Sequence, residues 1–345
     1  MCSLVSNEES DNGSAYKGVI MDKSKVYVKK SEYLTKEDIE LIKQLEKVCI
    51  DHDNAVMKLE LDYKYLFGIG AKESTTAINE YMYYYDNRLI GYIGSSDFSD
   101  VYVEVMGLVD PEYRRQGIFS ELMEMVIHYM NQHLAYKSIL ILSDRLSESG
   151  KGFIHSLNVS LHHCEYEMYY HEKNALANSS SAKNINSNSV GGDVVNNCII
   201  HLVKATNKDA KEIAMQNRIY FDDVFDTDQS IENSLYKEEK LIYPEEEEKK
   251  GMLIFMALHE NEVIGKVNIQ ISNSLGGIYG LGVKPGYRSK GYGRQILKLA
   301  ITELQHRECS QTMLQVEAEN EHALNMYKDC GFVTTSTMEY WLLKS

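Results

Sequence analysis

The sequence predicts a mixed α/β protein, an α+β fold built on a mixed sheet, in which two related domains follow one another. Three observations predict this class. The chain has 345 residues, too many for one typical domain of ~100–200 residues. A polar, Ser/Asn-rich tract at 173–197 divides it into two bodies of nearly equal size. Two of its three prolines, Pro111 and Pro285, begin the same short pattern, Pro-x-Tyr-Arg, at corresponding places in the two bodies.

The two bodies predict the same order of elements: strand, helix, antiparallel strands, then strand, helix, strand, helix and strand. In the first body, Thr35 is a helix cap and Asp86-Asn87 a hairpin turn, and the main elements are predicted at 25–30, 36–46, 78–85, 88–94, 101–109, 120–131 and 138–142. In the second, the elements are predicted at 199–203, 209–219, 252–258, 263–271, 278–283, 294–304, 312–317, 322–330 and 332–343. Helices that cover a mixed sheet follow from this order.

These patterns divide the chain into four segments. Residues 1–25 are polar and without periodicity, which predicts a disordered tail. A first domain follows at 26–172, a linker or exposed loop at 173–197, and a second domain at 198–345.

Charge and cysteine usage narrow the functional class. The chain has 36 Lys and Arg against 51 Asp and Glu, a net charge of −15, which disfavours binding to nucleic acid or to an anionic membrane. No run of 18 apolar residues predicts a membrane span. The six cysteines have no metal-ligand spacing, and the N-terminus does not look like a signal peptide. We therefore expect a reduced, cytoplasmic protein without a metal site.

A glycine-rich turn in the second body predicts a phosphate-binding site. A predicted strand ends at Val283, the following turn carries Arg288, Gly291 and Gly293, and an amphipathic helix begins there. The first turn of a helix has unpaired N–H groups and a positive dipole end. Glycines allow a phosphate to approach that backbone closely, and basic side chains add charged donors. The turn therefore indicates the binding of a pyrophosphate.

Two motifs in the second body resemble those of a known family. Arg288 to Gly293 reads R-x-x-G-x-G, and Asn320 to Phe332 reads N-x-x-A-x-x-x-Y-x-x-x-G-F. Together they resemble the GNAT superfamily of acetyl-CoA-dependent N-acyltransferases. Outside the tail and the linker, the chain looks like two GNAT domains in tandem, an arrangement similar to that of the mycothiol synthase family.

The resemblance implies the site residues of the second body. It implies that acetyl-CoA contacts Leu281, Gly282, Val283, Arg288, Ser289, Lys290, Gly291, Tyr292, Gly293, Arg294, Asn320 and Asn325. Tyr327 matches the general acid that protonates the leaving thiolate, and strand N–H groups near Leu281 would stabilise the oxyanion. Glu317 and Glu319 lie where the strand meets the second motif, and Glu317 is a candidate general base, directly or through water. The alternative is that one of the two is simply solvated and the other caps the next turn.

The first body matches only the first motif. The matching residues, which the resemblance assigns to acetyl-CoA, are Leu108, Val109, Arg114, Arg115, Gln116, Gly117, Ile118 and Phe119. Phe119 stands where the motif has its last glycine, and Ile154 falls opposite Tyr327. This body therefore either binds acetyl-CoA without catalysis or only shapes the substrate cleft, and we expect the second body to be catalytic.

The acceptor is expected to be a primary amine of a small molecule. Asp222, Asp223 and Asp226 alternate with Phe221 and Phe225, and carboxylates beside aromatic rings can hold an ammonium group. Two alternatives remain open: a non-catalytic protein that binds or senses acyl-CoA, and a transferase that acts on a protein N-terminus or a lysine.

Overall fold

The computed structural model describes residues 21–62, 64–65, 80–96, 101–134, 137–175, 200–221, 241–272 and 274–344. The predicted acceptor residues Asp222, Asp223 and Asp226, most of the predicted tail and most of the predicted linker lie outside these ranges. Within them, no helix has both the length and the apolar character needed to cross a membrane.

Six strands and three longer α-helices are the main elements of the first half among its described residues. Thr35 and Asp38 form a reciprocal capping box that starts the first helix, and Asp86 and Asn87 take positive φ angles of 48° and 64° in the hairpin turn. The elements are β1 (Val26–Ser31), α1 (Lys36–Asp53), β2 (Glu80–Tyr85), β3 (Arg88–Ser96), β4 (Tyr102–Val109), α2 (Ile118–His133), β5 (Ser138–Asp144), α3 (Glu148–Ile154) and β6 (Val159–Tyr170).

The second half repeats this order and adds one short helix, α5, so the predicted duplication of elements is confirmed. Each half ends in a single long strand of 12 residues. The elements are β7 (Ile200–Lys204), α4 (Ala210–Phe221), α5 (Pro244–Lys249), β8 (Met252–His259), β9 (Glu262–Ser272), β10 (Leu275–Val283), α6 (Tyr292–His306), β11 (Gln311–Glu317), α7 (Glu321–Asp329) and β12 (Phe332–Leu343).

The twelve strands of the described residues form one sheet, and the two halves exchange their last strands within it. The order is β1-β2-β3-β4-β5-β12-β6-β11-β10-β9-β8-β7. The final strand of the second half, β12, therefore pairs with β5 of the first. The final strand of the first half, β6, pairs with β11 of the second. The two exchanged strands also pair with each other over their whole length, so each half completes the sheet of the other.

The helices cover both faces of this sheet. In the first half α2 packs on the face formed by Val103 and Val105, and α1 packs on the opposite face with Met106 and Leu108, as strand alternation requires. In the second half α6 lies on the same face as α2, and the α4 side chain Ile213 packs on the other face. The exchanged β12 contributes Met338 and Tyr340 to the core beneath α1.

Candidate active site

The turn between strand and helix has the same backbone conformation in both halves. After β4 and after β10, a one-turn 3-10 helix begins at the proline. The next residue is an arginine whose Nε donates to the last strand carbonyl, from Arg114 to Val109 at 2.9 Å and from Arg288 to Val283 at 3.0 Å. The predicted similarity of the two turns is therefore present in three dimensions.

Glycines at the N-caps of α2 and α6 leave the first turn of each helix open. Gly117 and Gly291 both have φ of 81° and provide no side-chain cap. A Cβ atom at either position would find no other atom within 4 Å. The N–H groups of this first turn can therefore receive an anion, for which the helix dipole is favourable.

Next to each turn, two parallel strands separate and leave a cavity. β10 and β11 pair only as far as Ile278 and Leu314, and the cavity beyond has a volume of about 1030 Å³. β4 and β5 pair as far as Val105 and Ile141, and the corresponding cavity is about 400 Å³. The cavity of the second half therefore has more than twice the volume of the cavity in the first half.

The two halves differ at the strand that leads into the turn. β10 has a bulge between Tyr279 and Gly282 where it pairs with β9, whereas the pairing of β4 with β3 is regular. Gly280, in the bulge, has φ of 54°, and its carbonyl accepts a hydrogen bond from Lys266 Nζ at 3.1 Å. Burial lowers the pKa of this lysine to about 8. The bulge interrupts the ladder, so backbone groups of β10 beside the cavity are released from β9.

Most of the predicted residues of the second half line one cavity. Glu317 and Tyr327 share it with Leu281, Gly282, Val283, Arg288, Ser289, Gly291, Tyr292, Gly293, Arg294, Asn320 and Asn325. Lys290 does not line it, because its Nζ donates to Gly286 O at 3.0 Å and lies over the Tyr287 ring. The Asn320 side chain caps α7 by accepting from Ala323 N at 3.1 Å.

In the first half, the predicted arginine is neutralised. Arg114 makes a two-pronged ion pair with Asp53, with N–O distances of 2.8 and 2.7 Å, whereas Arg288 lies over the Tyr220 ring. Asp53 and Asp144 both line the first cavity, and carboxylates there oppose the binding of a polyphosphate. Except for Gln116, the predicted residues line this cavity, namely Leu108, Val109, Arg114, Arg115, Gly117, Ile118 and Phe119.

Apolar side chains fill the places where the first half departs from the motif. The Phe119 ring packs edge-to-face on Phe153 at 4.6 Å, and Ile154 is buried at the place corresponding to Tyr327. His155, next to it, is exposed and does not line the cavity. The first cavity therefore has no tyrosine or histidine in the position of the proposed acid.

Tyr327 and Glu317 have shifted proton affinities inside the second cavity. Burial raises the pKa of Tyr327 to about 12, and its ring packs against Phe332 at 6.1 Å. Burial also raises the pKa of Glu317, and the negative charges of Glu319 and Glu165 add to that rise. The tyrosine therefore holds its proton at neutral pH, and the carboxyl is a stronger base than a solvated glutamate.

Among the lining residues of this cavity that sequence reasoning missed, His163 and Glu165 belong to the first half. They lie on β6, which the strand exchange places beside β11, with Glu165 paired to Glu317 in the register. A bulge in β6 at His162, opposite Tyr340 and Trp341 of β12, brings the His162 and His163 rings together, with 2.8 Å between their Nδ1 atoms. Neighbouring residues of a regular strand point to opposite faces of the sheet, and the bulge removes this separation for the two histidines. Within the described ranges, no three His, Cys, Asp or Glu side chains are grouped as metal ligands.

A buried polar group, which we call the seam cluster, joins the halves beside this cavity. It consists of Lys58, Glu104, Glu165 and Tyr340. Lys58 Nζ lies 3.0 Å from Glu165 Oε2 and also contacts the Tyr340 hydroxyl. Tyr340 donates to the same Glu165 oxygen at 2.5 Å. Burial opposes the charge on Glu165, but Lys58 and Tyr340 outweigh it and lower the pKa of Glu165.

The seam cluster predicts that stability falls as pH rises towards neutrality. Burial raises the pKa of Glu104 from 4.5 to about 7. Its protonated form is therefore favoured by folding, and the stabilisation present below pH 4.5 is lost as pH rises through about 7. A rise of this size corresponds to about 3 kcal/mol. As pH rises from 5 to 8, the free energy of unfolding of Glu104→Gln, measured with urea, should increase by about 2–3 kcal/mol relative to that of wild type.

An exposed glutamate provides the control for that measurement. Glu124 lies on α2 and is exposed, so Glu124→Gln should follow the wild-type dependence on pH. The same dependence of unfolding free energy on pH in wild type and Glu104→Gln would contradict the predicted effect of Glu104 protonation on stability.

The strand–turn–helix units, the split strands and the duplicated order of elements define a class: tandem α/β proteins in which each half has an open helix N-terminus next to a pair of separating parallel strands. Comparison with known proteins gives the family. The family model described as "Acetyltransferase (GNAT) family" matches residues 42–148 and 217–332. The chain belongs to this family, and both halves carry its fold.

Curated relatives and a solved structure agree with this assignment. N-alpha-acetyltransferase 30 of Saccharomyces cerevisiae is 36% identical over 63 residues, which are 18% of this chain and 36% of that protein. Mycothiol acetyltransferase of Streptomyces avermitilis is 33% identical over 87 residues, 24% of this chain and 28% of that protein. The matches thus span about a third of each relative or less.

The solved structure shares the tandem architecture. A tandem GNAT protein from the clavulanic acid biosynthesis pathway covers 92% of this chain and 98% of its own, with a TM-score of 0.58 at 13% identity. Such low identity shows the fold alone.

Proposed function

We propose that the second half transfers an acetyl group from acetyl-CoA to a primary amine of a small molecule. The observation that carries this proposal is the single cavity of about 1030 Å³ that Tyr327, Glu317 and the open turn at Gly291 share. The general acid, the base and the phosphate cradle of the resemblance thus surround one space. The family assignment supports acyl transfer as the class of reaction.

The residues around the cavity fit acetyl-CoA. The open N–H groups at Gly291, the adjacent Ser289 and the Arg288 guanidinium are donors suited to a pyrophosphate. Glycine is required at 282, because a Cβ atom there would lie 2.1 Å from the Tyr220 ring. The bulged β10 offers main-chain groups to an extended chain. When bound, acetyl-CoA supplies the thioester whose carbonyl carbon accepts the amine.

Side chains of the second half carry out the proton transfers. Glu317 takes a proton from the acceptor ammonium, and its raised pKa brings it closer to the ideal for a base at neutral pH. N–H groups of β10 near Leu281 would supply hydrogen bonds to the thioester oxygen as it gains charge, where fixed dipoles are most effective. Tyr327 keeps its proton at Oη until the leaving sulfur gains charge. The carbonyl of Gly280, held by Lys266, is fixed by this hydrogen bond at the bulge.

The test is release of thiol from acetyl-CoA over a panel of primary amines, with calorimetry of coenzyme A binding. Turnover with at least one amine supports the proposal. Binding of coenzyme A in both halves without turnover of any amine would favour a sensing protein instead.

A second acceptor class follows from one observation, the similarity to N-alpha-acetyltransferase 30. A peptide N-terminus also presents a primary amine. Peptides with free and blocked N-termini belong in the panel, and a preference for the free peptide over every small amine would select this class.

The two arginines should respond differently to removal. Arg288→Ala is expected to weaken coenzyme A binding about 10–100-fold, because a charged hydrogen bond is worth about 1.5–3 kcal/mol. Arg114→Ala should instead destabilise the fold by about 3 kcal/mol, since it leaves the largely buried Asp53 carboxylate without its cationic partner. Calorimetry and urea unfolding separate the two effects. Equal losses of coenzyme A affinity in both variants would contradict the assignment of the cofactor to the second half.

A further inference from the structure

The first half supplies a charged residue to the proposed active site of the second. Glu165 lies on β6, the exchanged strand, and lines the second cavity together with Glu317 and Tyr327. Its Cα partners are Glu317 on β11 and Met338 on β12. Residues paired across antiparallel strands share a face of the sheet. The two glutamates are therefore neighbours on the face opposite α6, which is the face that carries α1 and α4.

Glu165 is an ionised carboxylate, and the hydrogen bonds from described residues reach only one of its two oxygens. Lys58 and Tyr340 both bond to Oε2, and the described residues place no hydrogen bond on Oε1. The ion pair is well buried, with side-chain exposures of 13% for Lys58 and 26% for Glu165. Glu165 is partly exposed and is one of the residues that line the second cavity.

The environments of the two glutamates differ in a way that divides their roles. Glu165 has a fixed ammonium and a hydroxyl beside it, so it remains ionised. Glu317 has the carboxylates of Glu165 and Glu319 as its charged neighbours, which favours its uptake of a proton. Paired carboxyls with diverging proton affinity are suited to one binding role and one proton-transfer role.

We propose that Glu165 binds the acceptor in its ammonium form, so that the site of the second half is completed by a carboxylate from the first half. This inference rests on the proposed function. The ammonium donates a hydrogen bond to Glu165 Oε1, and Glu317 then accepts one N–H proton, leaving a neutral amine and a protonated Glu317. No bond to Glu165 forms or breaks. The acceptor class is a basic primary amine, and Glu165 sets the preference for its charged form.

The experiment compares Glu165→Gln with wild type, using the best amine of the panel and its fluorinated counterpart, which is largely neutral at the assay pH. Glu165→Gln should raise KM for the basic amine about 10–100-fold, the equivalent of one charged hydrogen bond. KM for acetyl-CoA should stay unchanged. The penalty should shrink for the fluorinated amine, because it presents little ammonium. A merely structural role for Glu165 would not distinguish the two amines.

Two further variants keep the result interpretable. Glu167 lies two residues along β6 on the same face but does not line the cavity, so Glu167→Gln should leave both KM values at wild type. Glu165→Gln leaves the buried ammonium of Lys58 without its carboxylate partner. The double variant Lys58→Met/Glu165→Gln should therefore regain stability and keep the raised KM for the amine.

The outcomes separate this inference from the proposed function. A wild-type KM in the double variant, or an equal penalty for both amines, would overturn the role of Glu165 while leaving acyl transfer intact. If wild type turns over no amine at all, the proposed function fails first, and the inference fails with it.

Discussion

Replacing Tyr327 with phenylalanine is expected to lower kcat about 100-fold while leaving coenzyme A binding unchanged. Removal of a general acid costs about 10²–10⁴-fold. The lower end applies here because the pKa of Tyr327, about 12, makes it a weak acid. A thiolate, with a thiol pKa of ~8.5, also leaves without full protonation. The measurement is steady-state kinetics of thiol release, with calorimetry for coenzyme A.

A second tyrosine on the same phenylalanine provides the matched control. Tyr170 and Tyr327 both pack on Phe332, with ring centroids 5.6 and 6.1 Å away, but only Tyr327 lines the cavity. Tyr170→Phe should therefore retain wild-type kcat. Full activity of Tyr327→Phe would remove the tyrosine from the mechanism, and equal losses in both variants would point to packing around Phe332.

Neither half is expected to fold when it is expressed alone. Fragments of residues 21–175 and 200–344 should each lack a cooperative unfolding transition and should regain one when they are co-expressed. The first fragment loses Met338 and Tyr340, which are only 6% and 1% exposed, at about 1.5–3 kcal/mol each. It also loses β12, which separates β5 from β6, so both of those strands become open edges. Such losses are large against a typical stability of about 5–15 kcal/mol.

A cut chain is the control for the separated fragments. A protease site inserted between residues 175 and 200 breaks the connection without removing either exchanged strand. The cut protein should therefore stay assembled through size-exclusion chromatography and keep one unfolding transition by circular dichroism. A cooperative transition in either isolated fragment would show that the exchange is not required for folding.

The sequence predicted the site best where local chemistry decides the structure. Glycines at 117 and 291 are needed for the positive φ of the helix cap, so the turn motif and its conformation coincide. Thr35 and the Asp86-Asn87 pair behaved as expected for the same reason, because capping and hairpin turns depend on a few adjacent residues. These features depend on short-range steric contacts and hydrogen bonds between residues that are adjacent in the sequence, so the sequence alone predicts them.

The rest depends on long-range pairing, which local patterns do not encode. β6 reads equally well as the closing strand of its own half, so the sequence did not predict that it borders β11. Glu165 and His163 were missed for this reason. The bulge in β10 and its lysine were missed because Lys266 looks like any strand lysine until the register is known. Lys290 shows the reverse case, a motif residue whose flexible side chain turns to a nearby carbonyl instead of the cavity.

The exchange of β6 and β12 makes the chain equivalent to a domain-swapped homodimer whose two copies have been fused into one polypeptide. In such a fusion, one copy can lose its chemistry and still be retained, because its last strand remains a structural part of the other. Destabilising substitutions in one half therefore also affect the other. A substitution in β12, late in the sequence, changes the core beneath α1, which lies early in the sequence. Under the proposed function, the two halves would differ in reactivity while each remains necessary for the folding of the other.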